Sequence, residues 1–185
     1  MEYQNHESRH VFLAISVVLL LTCPLFLPVI PQTVTNIMHH KSEIWHVFTP
    51  NESYMAFAIG FFLLFLSSLT LFFLDIKKMS IFISVLLVLI SIGCFMMAAL
   101  PYKTLGDEGI SFKEFMSTDV YTYSWEEVEK INRIDMEDKG FYDYEFLFTD
   151  GNKMSISYNG YFREILGKLG NQIAVMKIEV VTVNE

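Results

Sequence analysis

The sequence predicts a membrane α-helical protein: three transmembrane helices, then a C-terminal α+β unit of mostly antiparallel sheet with one or two helices. Three observations predict it. Long uncharged apolar runs fill the first hundred residues, acidic charge gathers after Pro101, and large side chains alternate with a period of two over 142–158. The chain of 185 residues is 52% hydrophobic with a formal net charge of -8, which by itself is close to the ordinary globular range. The distribution decides the class. Between residues 11 and 100 the only charged side chains besides histidine are Lys41, Glu43, Glu52, Asp75, Lys77 and Lys78. From Pro101 onward nine Lys/Arg face sixteen Asp/Glu, a balance of -7. Residues 1–100 are therefore assigned to a membrane domain and 101–185 to a folded, water-facing domain.

The candidate spans are residues 11–30, 55–74 and 79–100. Each is long enough for a helix rising about 1.5 Å per residue to cross a hydrocarbon core of about 30 Å. The alternative, three consecutive soluble helices apolar on every face, does not suit so short a chain. The first run is too long for a signal peptide and lacks a small-residue cleavage site, so it too is read as a span. Pro24, Pro28 and Pro31 crowd its end and predict a kinked or unwound terminus there. Cys23 and Cys94 both fall inside spans and read as small hydrophobes.

Residues 32–54 read as a connection lying at a membrane–water boundary, with Trp45, Phe48 and Tyr54 as interfacial aromatics. "DIKK" at 75–78 is so short that the second and third spans must form an antiparallel hairpin. Arg9, Lys77 and Lys78 lie closest to the spans. They predict a multi-pass protein of the cell membrane with a cytoplasmic N-terminus and an extracytoplasmic C-terminal domain. No Asp, Glu, Lys, Arg or His falls within the spans, which disfavours a proton or ion pathway. Ala56 and Gly60, four residues apart, allow close helix contact.

After Pro101 the period changes. "YDYEFLFTDGNKMSISY" (142–158) places Tyr142, Tyr144, Phe146, Phe148, Met154, Ile156 and Tyr158 on one parity, the mark of a half-buried hairpin. Pairing Thr149 with Lys153 keeps all seven on one face and leaves the loop Asp150-Gly151-Asn152, with Asn152 left-handed. "YFREILGKL" follows with Phe162, Ile165, Leu166 and Leu169 at helical spacing, and Gly170 suits a C-terminal cap, although Ile173 and Met176 would extend the same helical stripe. The β-branched run 178–183 reads as a strand. "ISFKEF" (110–115) and "DVYTYS" (119–124) read as a strand pair, and 131–137 as a poorer strand.

"TYSWEEVEKI" (122–131) carries three glutamates that invite a catalytic reading. Ser124 and Glu127 instead form a capping box, and Glu126 and Glu127 lie where a helix dipole favours negative charge. The expectation is a helix starting here, with Trp125, Val128 and Ile131 buried together and Trp125 as the anchor. The sharper chemical candidate is "HHKSEIWH": on a helix His39, Glu43 and His46 share a face and have the types of a metal site. His39 and His40 also have the chemistry of a pH sensor. Asp135, Glu137 and Asp138 lack the ligand pattern of a calcium loop and read as a solvated turn. No glycine-rich phosphate loop, nucleophile elbow or paired CxxC occurs, and no cofactor is expected. Net acidity after Pro101 disfavours nucleic acid and anionic lipid as partners.

"YKTLGDEGISF", "YTYSWEEVEKI" and "YEFLFTDGNKMSI" together resemble bacterial pleckstrin-homology-like (PH-like) domains tethered to membrane spans. The resemblance covers roughly residues 101–170, and Ser124, Trp125, Glu127 and Gly151 carry it as structural residues. It implies a curved antiparallel sheet closed by a helix, serving in binding, assembly or envelope functions without catalytic residues. The expected function is a non-enzymatic integral membrane protein whose acidic domain binds a protein partner or ligand at the membrane surface. Its expected partners are the lipid bilayer and a protein, either a different one or a second copy of this chain. The alternative is a small membrane metalloprotein or metal-dependent enzyme built on His39, Glu43 and His46.

Overall fold

The computed structural model describes residues 2–136 and 141–184. The chain divides into two compact units, one of residues up to Thr35 with Thr49–Pro101, the other of Asn36–Phe48 with Tyr102–Glu185. The second unit thus takes in a segment from before the helical hairpin as well as everything after Pro101.

The first unit holds three helices long and apolar enough to cross a membrane, as a multi-pass membrane protein requires. They are α1 (Glu2–Phe26), α3 (Asn51–Phe73) and α4 (Lys78–Ala99). Helix α1 accommodates Pro24 and stops at Phe26, four residues short of the expected span end. A turn closed by Val29 N–H on the Phe26 carbonyl carries the chain past Pro28 into α2 (Ile30–His39). Pro31 enters α2 in its first turn, where its missing N–H costs nothing. Serines of the spans join the helices. Ser67 Oγ lies 2.6 Å from Ser84 Oγ, and each hydroxyl also reaches the other residue's carbonyl at 3.1 Å. Ser91 Oγ donates to the Gly60 carbonyl (2.8 Å) and Ser68 Oγ to the Phe12 carbonyl (2.7 Å). Packing and hydrogen bonds of this kind replace the hydrophobic drive that apolar surroundings remove. At one end of the unit Arg9 Nη1 pairs with Asp75 Oδ1 at 2.7 Å, and Lys77 Nζ lies 3.5 Å from the other oxygen.

The second unit contains two four-stranded sheets. Strands β1 (Ile44–Phe48), β2 (Tyr102–Gly106), β3 (Gly109–Lys113) and β4 (Tyr121–Ser124) pair antiparallel in chain order. The other sheet runs β7-β6-β5-β8, from β5 (Val128–Met136), β6 (Phe141–Phe148), β7 (Lys153–Ser157) and β8 (Glu179–Asn184), with only the β5–β8 pair parallel. Helix α5 (Gly160–Met176) connects β7 to β8. Leu105, Ile110, Phe112, Ile131, Phe146, Phe148, Met154, Phe162 and Leu169 form the core, each no more than 2% exposed.

Several expectations are corrected. The segment 32–54 is not a plain connection: it holds most of α2 and strand β1, which pairs with a strand more than fifty residues downstream. Ser124 does begin a turn, and its N–H donates to Glu127 Oε2 at 2.8 Å. That turn is a single 3-10 turn (Trp125–Glu127) and not a helix, because Val128, Ile131 and Ile134 are drawn into the ladder with β6. Strand β5 is accordingly longer than the 131–137 expected. Trp125, Val128 and Ile131 are nevertheless all buried, as expected of them. The hairpin keeps its even register but slips by one pair: Leu147 faces Lys153 and Phe146 faces Met154. Phe148 N–H donates to the Asn152 carbonyl around a loop of Thr149, Asp150 and Gly151, so Gly151 (φ 87°), not Asn152, takes the left-handed position. That is a type I turn with a glycine bulge, which a glycine accepts without the Cβ penalty. Helix α5 runs past Gly170 to Met176 and ends on Lys177 (φ 55°), because Ile173 extends the buried stripe by another turn. Leu166 lies at that stripe's margin, 37% exposed. Of the acidic stretch, Asp135 is the last residue but one of β5, and Glu137 and Asp138 lie outside the described residues.

On the outer face of the second sheet Glu145 bridges two strands. Lys153 Nζ lies 2.9 Å from its Oε1, and Asn132 Nδ2 donates to its Oε2 at 3.2 Å. Chiefly the Lys153 hydrogen bond, against the opposing effect of burial, holds the Glu145 carboxyl below its usual range. A carboxyl whose folded pKa is depressed contributes stability that is present above its unfolded pKa of about 4.3 and is lost as pH falls through the folded value. Urea midpoints should therefore drop between about pH 5 and pH 3, and drop less in Glu145→Gln. An equal acid dependence in that variant would show that Glu145 is not a source of it.

Candidate binding groove

A groove of about 340 Å³ lies on the four-stranded sheet of the second unit. Strand alternation builds its floor. Leu105, Ile110, Phe112 and Tyr123 point into the core, so Thr104, Ser111 and Thr122 share the opposite face, Thr122 exposed, Ser111 half-buried and Thr104 buried at the inner end of the row. Register then aligns them, since Thr104 pairs with Ser111 and Ser111 with Thr122. The hydroxyls are mutually oriented. Thr104 Oγ1 donates to the Ser111 carbonyl (2.8 Å), Ser111 Oγ donates to the Tyr121 carbonyl (3.0 Å), and Ser111 Oγ lies 3.1 Å from Thr122 Oγ1. Lys41, Glu43 and Glu108 supply charge of both signs at the rim, and Ser124 closes the row. A volume of this size with a few convergent polar groups fits a small ligand or a short stretch of a partner chain.

The β2–β3 turn at one end is held tightly. Gly106 and Gly109 let other backbone approach: a Cβ on Gly106 would lie 2.6 Å from the Glu43 carbonyl oxygen. Asp107 N–H donates to that same carbonyl at 2.9 Å. Beneath the turn the Trp45 and Trp125 rings stack at 5.5 Å. Trp45 Nε1 donates to Asp107 Oδ1 (2.6 Å) and Trp125 Nε1 to the Gly106 carbonyl (3.0 Å). Trp125, 2% exposed, is the buried anchor that its sequence context predicts. At the far side the Asp150 carboxylate accepts from the Tyr123 hydroxyl at 2.6 Å, tying the β6–β7 loop to β4. That hydrogen bond, with the Asn152 amide, holds the Asp150 carboxyl below its ordinary value.

The three sequence-proposed metal ligands stand on different elements. His39 is the last residue of α2, and its ring stacks on Tyr102 at 4.0 Å. Glu43 lies before β1, at the groove rim. His46 is in β1, stacked on Tyr161 at 4.9 Å with its edge to Phe48. Burial pulls the His46 imidazole below its ordinary pKa, with Glu164 acting the other way. The helix that would align them does not extend past His39. Among the described residues no three His, Cys, Asp or Glu side chains are grouped to hold a metal ion. What the sequence reading missed is the hydroxyl row. Alternation in "ISFKEF" and "DVYTYS" shows Ser111 and Thr122 on the polar side, but their alignment depends on register and on β2. No family model matches the chain, and no match to it is found among curated proteins.

Proposed function

We propose that this is a non-enzymatic integral membrane protein whose PH-like second unit binds a protein partner at the membrane surface through the groove. The observation that carries this reading is the hydroxyl row Thr104-Ser111-Thr122 with charged residues of both signs at its rim. Such a surface suits hydrogen bonding to a polar segment better than the burial of an apolar one. The PH-like assignment is supported by four antiparallel strands in chain order, a further antiparallel set β5-β6-β7, and a helix following directly. Strand β8 is an addition to that plan.

The proposed topology has the N-terminus in the cytoplasm and the second unit outside. Arg9, Asp75 and Lys77 meet at one end of the helical unit. The Gln32 side chain accepts from Thr49 N–H at the other end, where the chain passes between the units. The basic residues nearest the membrane thus gather on one side, which the positive-inside tendency makes cytoplasmic.

One experiment in cells tests both parts. Reporter fusions after Lys78 and at Glu185 should report the cytoplasm and the exterior respectively, and a photo-crosslinking residue at Thr122 should give a discrete protein adduct. The same residue at Lys168, exposed on α5, should not. A cytoplasmic Glu185 reverses the orientation, and equal adducts from both positions, or none, remove the groove from the reading.

A further inference from the structure

We propose that Arg133, with the phenols of Tyr142, Tyr144 and Tyr158, forms a second binding site, for a small organic carboxylate, on the inner face of the β7-β6-β5-β8 sheet. Arg133 follows Ile131 by two residues in β5, so it lies on the core side of the strand, directly opposite Tyr144 in β6 and Thr182 in β8. A guanidinium is an expensive group to place there. Its Nε is buried and makes no hydrogen bond, and no ion pair reaches it among the described residues. What holds it is the face of Tyr142, with the guanidinium carbon 4.0 Å from the ring centroid.

The phenols complete the site. Tyr144 is 9% exposed, packed 4.6 Å from the Phe162 ring, and within electrostatic reach of Arg133, Tyr142 and Tyr158. Burial, chiefly, raises its hydroxyl above the ordinary value, so it remains a proton donor at neutral pH. Among the described residues none of the three hydroxyls is hydrogen-bonded. The guanidinium Nε is thus, among the described residues, a buried donor without an acceptor, and Tyr144 beside it feels the charges of Arg133, Tyr142 and Tyr158. A buried donor left unpaired costs free energy that an incoming oxyanion would recover.

Shape and charge select the class. A guanidinium stacked on an aromatic face presents its edge, which matches a planar carboxylate in bidentate fashion. The second unit carries a balance of -7 after Pro101, and Asp135 follows Arg133 by two residues on the same face of β5, opposite Tyr142. Repulsion from these charges scales with ligand charge, so a monoanion is favoured over a phosphate dianion.

The test uses the full chain in lipid nanodiscs with 13C-labelled tyrosine, titrated with sodium benzoate at constant ionic strength. Tyr142 and Tyr144 ring resonances should shift saturably. Arg133→Lys, which keeps the charge but loses the fork, should weaken benzoate by about tenfold or more. A linear shift, unchanged affinity in that variant, or inorganic phosphate binding as tightly as benzoate overturns the proposal. Should Arg133→Lys fail to fold, Tyr144→Phe and Tyr158→Phe decide: each should weaken benzoate several-fold, and undiminished affinity in both overturns the proposal.

Discussion

Trp125→Ala should destabilise the second unit by about 3–5 kcal/mol, the range for emptying a large aromatic from a packed core. Trp125 is 2% exposed, stacks on Trp45, and donates its indole N–H to the Gly106 carbonyl. The truncation removes ring contacts from one side of Trp45 and leaves a buried carbonyl without its donor. Trp125→Phe separates the two contributions. It keeps most of the ring and loses the donor, so it should cost about 1–3 kcal/mol. Urea unfolding followed by the fluorescence of Trp45, the other of the two tryptophans, measures both. A loss below about 1 kcal/mol in Trp125→Ala would show that the site collapses around the gap and that Trp125 is no anchor. The consequence reaches function, because the Gly106 carbonyl belongs to the turn that ends the groove.

Gly109→Ala is the second large effect, expected at about 3 kcal/mol. Its Cβ would lie 2.1 Å from the Tyr123 carbonyl oxygen and 3.1 Å from Ser124 Cα. These are backbone atoms of the paired strand, with Gly109 directly opposite Ser124, so no side chain can rotate out of the way. The φ of +156° adds a conformation that residues with a Cβ rarely adopt. The same chemical change at Gly167 meets nothing within 4 Å on an exposed turn of α5 and should be neutral or stabilising by about 0.5–1 kcal/mol. Thermal unfolding of the two variants side by side checks the contrast. If Gly109→Ala is as benign as Gly167→Ala, the β3–β4 contact is looser than the structure describes. Crosslinking from Thr122 should weaken in Gly109→Ala and persist in Gly167→Ala, which links the turn to the groove.

Local patterns recorded much of this architecture. Uncharged runs of about twenty residues can be little but long apolar helices, so all three were legible. The parity of Tyr142 through Tyr158 could be read without any partner strand, because side chains alternate whatever the strand pairs with. Parity was robust and register was not. Thr149–Lys153 and Leu147–Lys153 both keep the core face intact, and the choice fell to Gly151 accepting the left-handed position. The same limit explains Ser124. A capping box specifies how a turn begins, not how long it lasts, and pairing of Val128–Met136 with β6 stopped it after one turn.

By itself, then, the sequence determined the apolar helices, the acidic second unit, the buried face of its hairpin and the anchoring role of Trp125. Each follows from hydrophobicity or from a spacing of a few residues. Tertiary structure alone decided that "IWHVF" is a strand, that His39, Glu43 and His46 separate, and that Thr104, Ser111 and Thr122 align. It also decided that Arg133 sits among tyrosines on an inner sheet face. These depend on pairings between segments far apart in the chain: β1 with β2 across an intervening helical hairpin, and β5 with β8 across α5. Such contacts form because burying both faces together is favourable, and no local period records which distant strand will be the partner.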